Sequence, residues 1–590
     1  MSPALVTPFK RQMEVTYRAS CRESGGHDGE GGISVQPKPT VAVLGGGIGG
    51  LSAAHELAER GFAVTVYERK DTFGGKARSM SVQGTGTDGR KDLPGEHGFR
   101  FFPGFYKHVT DTMNRIPFGD SGRTCYDNLV VATRILLARA GKAEPLWVAR
   151  FPETLDDFRT AFLSLFSNLD IPLDEVQFFV SRLLGLATSC DERYLAEFEP
   201  TPFWDFIEAK NKSANYQKYL GQGFTRSLVA MRSEEGSTRT VGRILLQLFY
   251  GILVPGRVFD RLLNGPTHDV WLEPWREHLS GRLDVTLVSN ATVRSLNLSG
   301  NKLRSVTIEH NGAAVEITAD FYVAAVPIEI MQELVTENLQ TAAPSLAKLR
   351  QLRTEWMNGI QFYLKTDEPL ANGHAIYLDS NWALTSISQR QFWTGYDLSQ
   401  YGNGQVGGIL SVDISNWTAG GNFNGKPAMA CMTREEVKEE VWAQLKAALN
   451  VGGERQIEDE NLIAWFLDPD IQLPNPTGVA NLEPLLINYA GSLAFRPEAY
   501  TEIGNLFLAS DYVRTYTDLA TMEGANEAAR RATNAILAVT GVSAPPCRFW
   551  EFDIPEPVRA AQVLDRVRLQ MGLPNSILGK KYPQALGVGR

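Results

Sequence analysis

Cysteine is scarce. Cys21, Cys125, Cys190, Cys431 and Cys547 are widely scattered, with no CxxC pair. That excludes a zinc ribbon and a disulfide framework. Long apolar runs are missing too. The longest, Ile244 to Pro255, contains Gln247 and is too short to cross a bilayer. The stretch MSPALVTPFKRQMEV lacks the apolar centre of a signal peptide, so a reduced, cytoplasmic setting is expected. No Lys/Arg block offsets the net charge of −9, which argues against nucleic acid as a partner. The eight histidines form no ligand-spaced pair, so no metal site is expected, and no GxSxG elbow marks a hydrolase.

What remains is a chain of 590 residues, 43% hydrophobic and 21% charged. This is too long for one hydrophobic core. Residues 1–38 are polar and Gly/Ser-rich and read as a flexible tail. A βαβ unit follows at 40–68, then helical periodicity from 154 to 254. Alternating strands run from about 283 to 326 and again over 357–415, before the amphipathic helix TREEVKEEVWAQLKAAL. The expected class is α/β: a Rossmann-like nucleotide-binding domain in discontinuous segments, with a helical and β-sheet substrate domain inserted. The corresponding parts are 39–150, 266–345 and 481–545 for the first, 151–265 (helical) and 346–480 (sheet and helix) for the second, and a tail, 546–590, with an amphipathic helix.

The informative stretch is VAVLGGGIGGLSAAHELAERGFAVTVYERKDTFGGKARSM, from Val41 to Met80. TVAVL is continuously apolar, as a strand buried on both faces of a parallel sheet should be. Gly45, Gly47 and Gly50 fit GxGxxG, with Ile48 and Gly49 opening a helix whose N-terminus can receive a pyrophosphate. A second strand ends at Glu68, followed by Arg69. An acid at that distance can accept hydrogen bonds from an adenosine ribose. The pattern alone is weak: 84–89 and 402–407 also match, but lack the strand before and the helix after. Gly74-Gly75, then Lys76 and Arg78, offers a second approach to phosphates or a ring system.

The stretch 41–80 resembles the signature of the flavin amine oxidase and phytoene desaturase superfamily, in which GxGxxG and an acid are followed by GG-x-x-x-S. NLFLASDYVRTYTDLATMEGANEAARRATNAI resembles that family's closing motif, although Ser510 stands where the family usually has Gly. The resemblance implies FAD as cofactor, with Asp511 on its ribityl or pyrophosphate portion and the backbone from Met522 to Ala525 facing the flavin's N1–C2=O edge. There, a helix N-terminus would stabilise negative charge on the reduced ring. GEHGFRFFPGFY resembles the family's flavin-ring segment, with Gly98, Phe99 and Arg100 beside the ring, Arg100 replacing the family's His. SNATVRSL resembles the strand whose valine, here Val293, meets adenine through its backbone. By position, Arg100 and His97 are the catalytic candidates; as lone residues, His97 and His108 read first as structural histidines.

Within the superfamily, GEHGFRFFPGFYKH, STRTVG, DRLLNGPT and DLATMEGANEA look most like the phytoene desaturase and hydroxysqualene dehydroxylase-like branch. The resemblance implies an FAD-dependent oxidoreductase of dehydrogenase or desaturase type, taking hydride from a largely apolar, isoprenoid- or lipid-like substrate and passing electrons to oxygen or a quinone. Alternatives are a flavin amine oxidase, a flavin-assisted double-bond isomerase and a non-catalytic nucleotide sensor. Apolar residues around more than one face of 178–184 and 244–254, with Phe162 to Phe166, are expected to line both a core and a substrate channel. Arg226, Arg239 and Asp260 read as a buried Arg–Asp pairing that holds the helical lobe. The helix over 556–571, with Ala560, Val563, Leu564, Val567 and Met571 on one face, reads first as packed on the main domain. The alternative is weak peripheral contact with a membrane.

Overall fold

The computed structural model describes residues 37–142, 147–150, 169–223, 225–226, 231–253, 257–453, 455–474 and 481–582. The expected tail before residue 37 and the helical segment with Phe162, Leu163, Leu165 and Phe166 lie outside them.

A five-stranded parallel sheet forms around Thr40–Leu44. It lies between Ala63–Tyr67 and Phe321–Ala324, with Thr286–Val288 and Leu506–Leu508 at the edges. Val41 to Leu44 are buried because the sheet is covered on both sides. The helix Ile48–Ala58 lies against the helix Met522–Thr540. Small residues, Ala53 and Ala54 on one and Ala528, Ala529 and Ala532 on the other, let the backbones approach, and Asn526 Nδ2 donates to Ser52 Oγ at 2.8 Å. The antiparallel strands Ala291–Ser299, Lys302–His310 and Ala313–Ile317 fill the chain between two of the parallel strands. This is the α/β class expected from the sequence.

A larger sheet of seven strands runs in the order Leu462–Leu467, Asn358–Leu364, Gly408–Ile414, Leu384–Ser388, Ala375–Tyr377, Arg134–Ala138, Trp147–Arg150. The helix Arg434–Leu449 packs Val437, Val441, Trp442 and Leu445 into the same core as Phe362, Val412 and Trp417. Residues 95–98 run along this sheet: Gly359 N–H donates to the His97 carbonyl at 2.7 Å, and Glu96 N–H to Gln361 Oε1 at 2.9 Å. This joins the larger sheet to the part built on the parallel sheet.

The helices Leu173–Ala187 and Thr238–Leu253 spend their apolar residues mainly on a core of their own, with Phe179, Leu183, Phe198, Phe206 and Leu245. The expectation that 178–184 also lines a channel needs correcting. Leu184 points outward at 51% exposure, and Phe178 is covered by the Lys212 ammonium and the Arg182 guanidinium at 3.9 and 4.4 Å from its ring centre. Arg182, one turn along the same helix, and Lys212, from further along the chain, satisfy the second face. The expected Arg–Asp pairing is also re-partnered. Arg239 and Arg496 both grip the buried Asp518, which precedes the helix Met522–Thr540, whereas Asp260 binds His374. The helical lobe is therefore clamped onto the part built on the parallel sheet. No helix among the described residues is long and apolar enough to cross a membrane.

The helix Glu556–Gln570 forms as expected, but it docks by its polar side. Asp565, buried, accepts from Arg193 Nε and from the Cys190 N–H, and Gln562 donates to the Ala187 carbonyl. Val563, Leu564, Val567 and Met571 are left outward, 45–69% exposed, contrary to the packed reading.

Candidate functional site

At Gly45 the backbone has φ +108°, which a side chain disfavours, and a Cβ there would sit 2.8 Å from the Ala325 carbonyl oxygen. At Gly50 a Cβ would overlap the Gly45 carbonyl, so the helix can start this close to the strand only with glycine. Gly47, the helix N-cap, supplies no side-chain cap, leaving the first N–H groups of the helix available to an anion. The second glycine pair is brought onto the first: Gly74 N–H donates to Gly46 O at 2.8 Å, and Gly47 and Gly74 form a bridge.

Glu68 is buried at the end of its strand, accepting from Gly46 N–H at 2.7 Å and Lys70 N–H at 2.9 Å. Burial raises its pKa, and the two N–H donors work against that rise. Val293 lies half-buried beside it in the chain path, since Ala291 N–H donates to Glu68 O. On the far side of the turn, Asp511 accepts weakly from Ser510 Oγ at 3.3 Å. Thr521 caps the helix beginning at Met522 by accepting from Gly524 N–H at 3.2 Å, with Ala525 in its first turn. Glu329, near Lys76 and Asp511, keeps a buried Oε2 with no partner among the described residues.

The basic residues after the glycine pair are otherwise engaged. Arg78 reaches Glu483 at 2.8 Å and Asp470 at 2.7 Å. Arg69 pairs with Glu483 at 3.1 Å, and Lys76 with Glu329 at 3.4 Å and the Pro484 carbonyl. Glu483 is buried; Arg78 and Lys70 nevertheless hold it well below the usual carboxylate range. Nothing in the spacing of Arg78 foretells acids about 400 residues away. A cleft of about 1130 Å³ opens here, lined among others by Lys70, Arg78, Asn290, Arg434, Phe466 and Asp470.

His97 Nδ1 lies 2.5 Å from Asp468, with Asn358 alongside, and Glu483 completes a group of three potential ligands within 4.8 Å of one another. Those acids already serve His97 and Arg78, so the arrangement is that of an ion-pair network. His108 is held between Glu523 at 2.7 Å and the Trp550 N–H at 3.0 Å. Arg100 turns back, donating to Gly98 O at 2.6 Å and to the Lys76 carbonyl, with Nε unpartnered among the described residues.

The uncapped helix, the deep acid at the ribose position and the orphaned Glu329 oxygen suit a dinucleotide lying along the sheet's carboxyl ends. Such an assembly defines a dinucleotide-binding protein. The chain belongs to the flavin containing amine oxidoreductase family, whose profile matches residues 48–537. It is 24% identical over 530 residues to a zeta-carotene desaturase of Synechocystis sp., covering 84% of this chain and 97% of that protein. It is 23% identical over 539 residues to a probable zeta-carotene desaturase of Synechococcus elongatus, covering 85% and 100%. Among solved structures, the fold matches cyclohexylamine oxidase from Brevibacterium oxydans with a TM-score of 0.56 at 14% identity, covering 86% of this chain and all of that one. The protein is an FAD-dependent oxidoreductase.

Proposed function

We propose that the protein dehydrogenates a long, apolar isoprenoid chain, introducing a carbon–carbon double bond. The observation that carries this reading is the nearly end-to-end similarity to carotene desaturases. FAD supplies the two-electron chemistry; the chain's own residues bind and orient it. In this reading the N–H groups from Ile48 to Gly50 take the pyrophosphate, Glu68 the adenosine ribose, and Val293 the adenine edge. Asp511 takes the ribityl chain, and the helix start from Met522 to Ala525 the flavin's carbonyl edge. Gly98, Phe99 and Arg100 lie by the ring, and Gly75 lets the backbone close over it. His97 orients that segment through Asp468, while Arg69, Lys76 and Arg78 brace the loop through Glu483, Asp470 and Glu329.

The outward face of Glu556–Gln570 fits a membrane surface, from which an isoprenoid would be drawn, and electrons then pass to oxygen or a quinone. Mixing the yellow holoprotein anaerobically with ζ-carotene in micelles should bleach the flavin, while putrescine and cyclohexylamine should not. Bleaching by an amine, with no response to any isoprenoid, would place the protein among the amine oxidases instead.

A further inference from the structure

Making a double bond removes two hydrogens of different character. One leaves as hydride, the other as a proton from the neighbouring carbon, so a desaturase needs a proton acceptor as well as a flavin. The acids around residues 96–101 can be compared one by one. Glu96 accepts from Ser79 Oγ at 3.0 Å and Thr267 N–H at 2.8 Å. Asp468 is taken by His97 and the Asp470 N–H, and Asp260 by His374 at 2.5 Å and the Arg261 N–H at 2.7 Å. Asp413 is different. Its Oδ1 is buried with no hydrogen-bond partner among the described residues.

Asp413 sits on the strand Gly408–Ile414, directly opposite Gly359. A Cβ on Gly98 would lie 2.7 Å from its Oδ1, and so would one on Gly359. Both neighbours must lack a side chain for the carboxyl to occupy this place. The charged groups facing it are Arg100, His374 and Glu96, with the Phe99 N–H. His374, on the other side, presents its ring to Phe99 and Phe101 at 5.5 and 5.1 Å. Arg100, Asp413 and His374 are each half-buried, while the Asp413 Oδ1 atom itself is covered. The side chains against His374, Phe99 and Phe101, are aromatic, as suits the neighbourhood of an apolar chain. Burial raises the Asp413 pKa to about 7, against the pull of Arg100, which allows the group to exchange a proton near neutrality.

We propose that Asp413 is the proton acceptor of the dehydrogenation, a role that rests on the desaturase reading. One substrate C–H bond breaks with its electron pair leaving as hydride to the flavin, which is reduced by two electrons. The C–H bond on the adjacent carbon breaks, its electron pair becomes the second bond of the C=C, and the proton ends on the Asp413 carboxylate. The glycines at 98 and 359 let the carboxyl pack directly against the flavin-ring segment, and Arg100 keeps enough positive charge nearby for the carboxylate form to exist.

The test uses holoprotein of the wild type, Asp413→Asn and Asp413→Glu, with anaerobic flavin bleaching by ζ-carotene followed in stopped flow across the pH range around 7. The wild-type rate should rise with pH to a plateau with its midpoint near 7. The Asn variant should bind FAD fully but be slowed about 10²–10⁴-fold and lose that midpoint, and the Glu variant should recover part of the rate. Without substrate, infrared difference spectra should show a protonated-carboxyl band titrating near 7 in the wild type and missing in Asp413→Asn. Normal bleaching of the Asn variant with an unchanged pH profile would overturn the role of Asp413 alone, as would a carboxyl band that stays in that variant. A wild-type flavin that no isoprenoid bleaches would overturn the desaturase reading itself, and this role with it.

Discussion

Glu68 and Asp511 stand at opposite ends of the turn built by Gly45 to Gly50, and each is an acceptor that the backbone alone cannot replace. Removing a hydrogen-bonded carboxylate costs about 1.5–3 kcal/mol. Glu68→Ala and Asp511→Ala should therefore each weaken FAD retention about tenfold or more, read as flavin absorbance per protein after gel filtration. Full occupancy in both would remove them from the site. The glycine turn was legible from sequence because its chemistry is local: a steric requirement at Gly45 and Gly50 fixes both the residue type and the spacing. The same local spacing puts Glu68 against this turn, where it accepts from the Gly46 N–H. Asp413, Glu483 and Asp470 were not legible. Their meaning comes from partners hundreds of residues away, Gly98 for the first and Arg78 for the other two, and no spacing rule connects them. His97 was visible as a candidate, but its tie to Asp468 was not.

Helix termini carry the next layer. Glu523, in the first turn of Met522–Thr540, accepts from the backbone N–H groups of Lys107, His108 and Val109 and from His108 Nδ1, and so starts the helix His108–Met113. Burial opposes its charge, yet His108 and those N–H groups hold its pKa below the usual value. A carboxylate with a depressed folded-state pKa contributes stability above its unfolded pKa and loses it as pH falls through the folded one. Acidification should therefore lower the melting temperature of the wild type more than that of Glu523→Gln. At neutral pH that variant should be less stable by about 3 kcal/mol, because His108 and the N–H groups keep a weaker acceptor; calorimetry over a pH series checks both. The periodicity of Glu556–Gln570 gave its helical state correctly but its orientation wrongly. An amphipathic stripe says which residues share a face, whereas the buried Asp565–Arg193 contact decides which face turns inward. Leu564→Glu with Val567→Glu should abolish flotation with phosphatidylglycerol vesicles while leaving the melting temperature within a degree or two, since both side chains already face out. Equal flotation of the double variant would rule out this face.

Across the whole molecule, one clamp joins the helical lobe to the cofactor part: Asp518, between Arg239 and Arg496, with Thr240 Oγ1 at 3.1 Å. Burial works against its charge, and the two guanidinium groups hold its pKa below the usual range. Asp518→Asn leaves two buried cations short of a counter-charge and should cost about 3–5 kcal/mol. It should also open the lobe interface to limited proteolysis ahead of global unfolding, and an unchanged cleavage pattern would show that the lobes are held by other means. The alternation of helical and strand periodicity suggests a division into lobes, but the clamp depends on three-dimensional meeting points that periodicity does not encode. The parallel sheet has a further consequence. Its central strand is made at Thr40–Leu44, but an edge strand comes only at Leu506–Leu508 and the helix covering Ile48–Ala58 only after Met522. On the ribosome, then, the first half of the cofactor cradle emerges long before the second. It must wait with an apolar strand and an alanine-rich helix uncovered. Flavin capture has to wait for the helix Met522–Thr540, and the interval before it is when this protein most needs a chaperone.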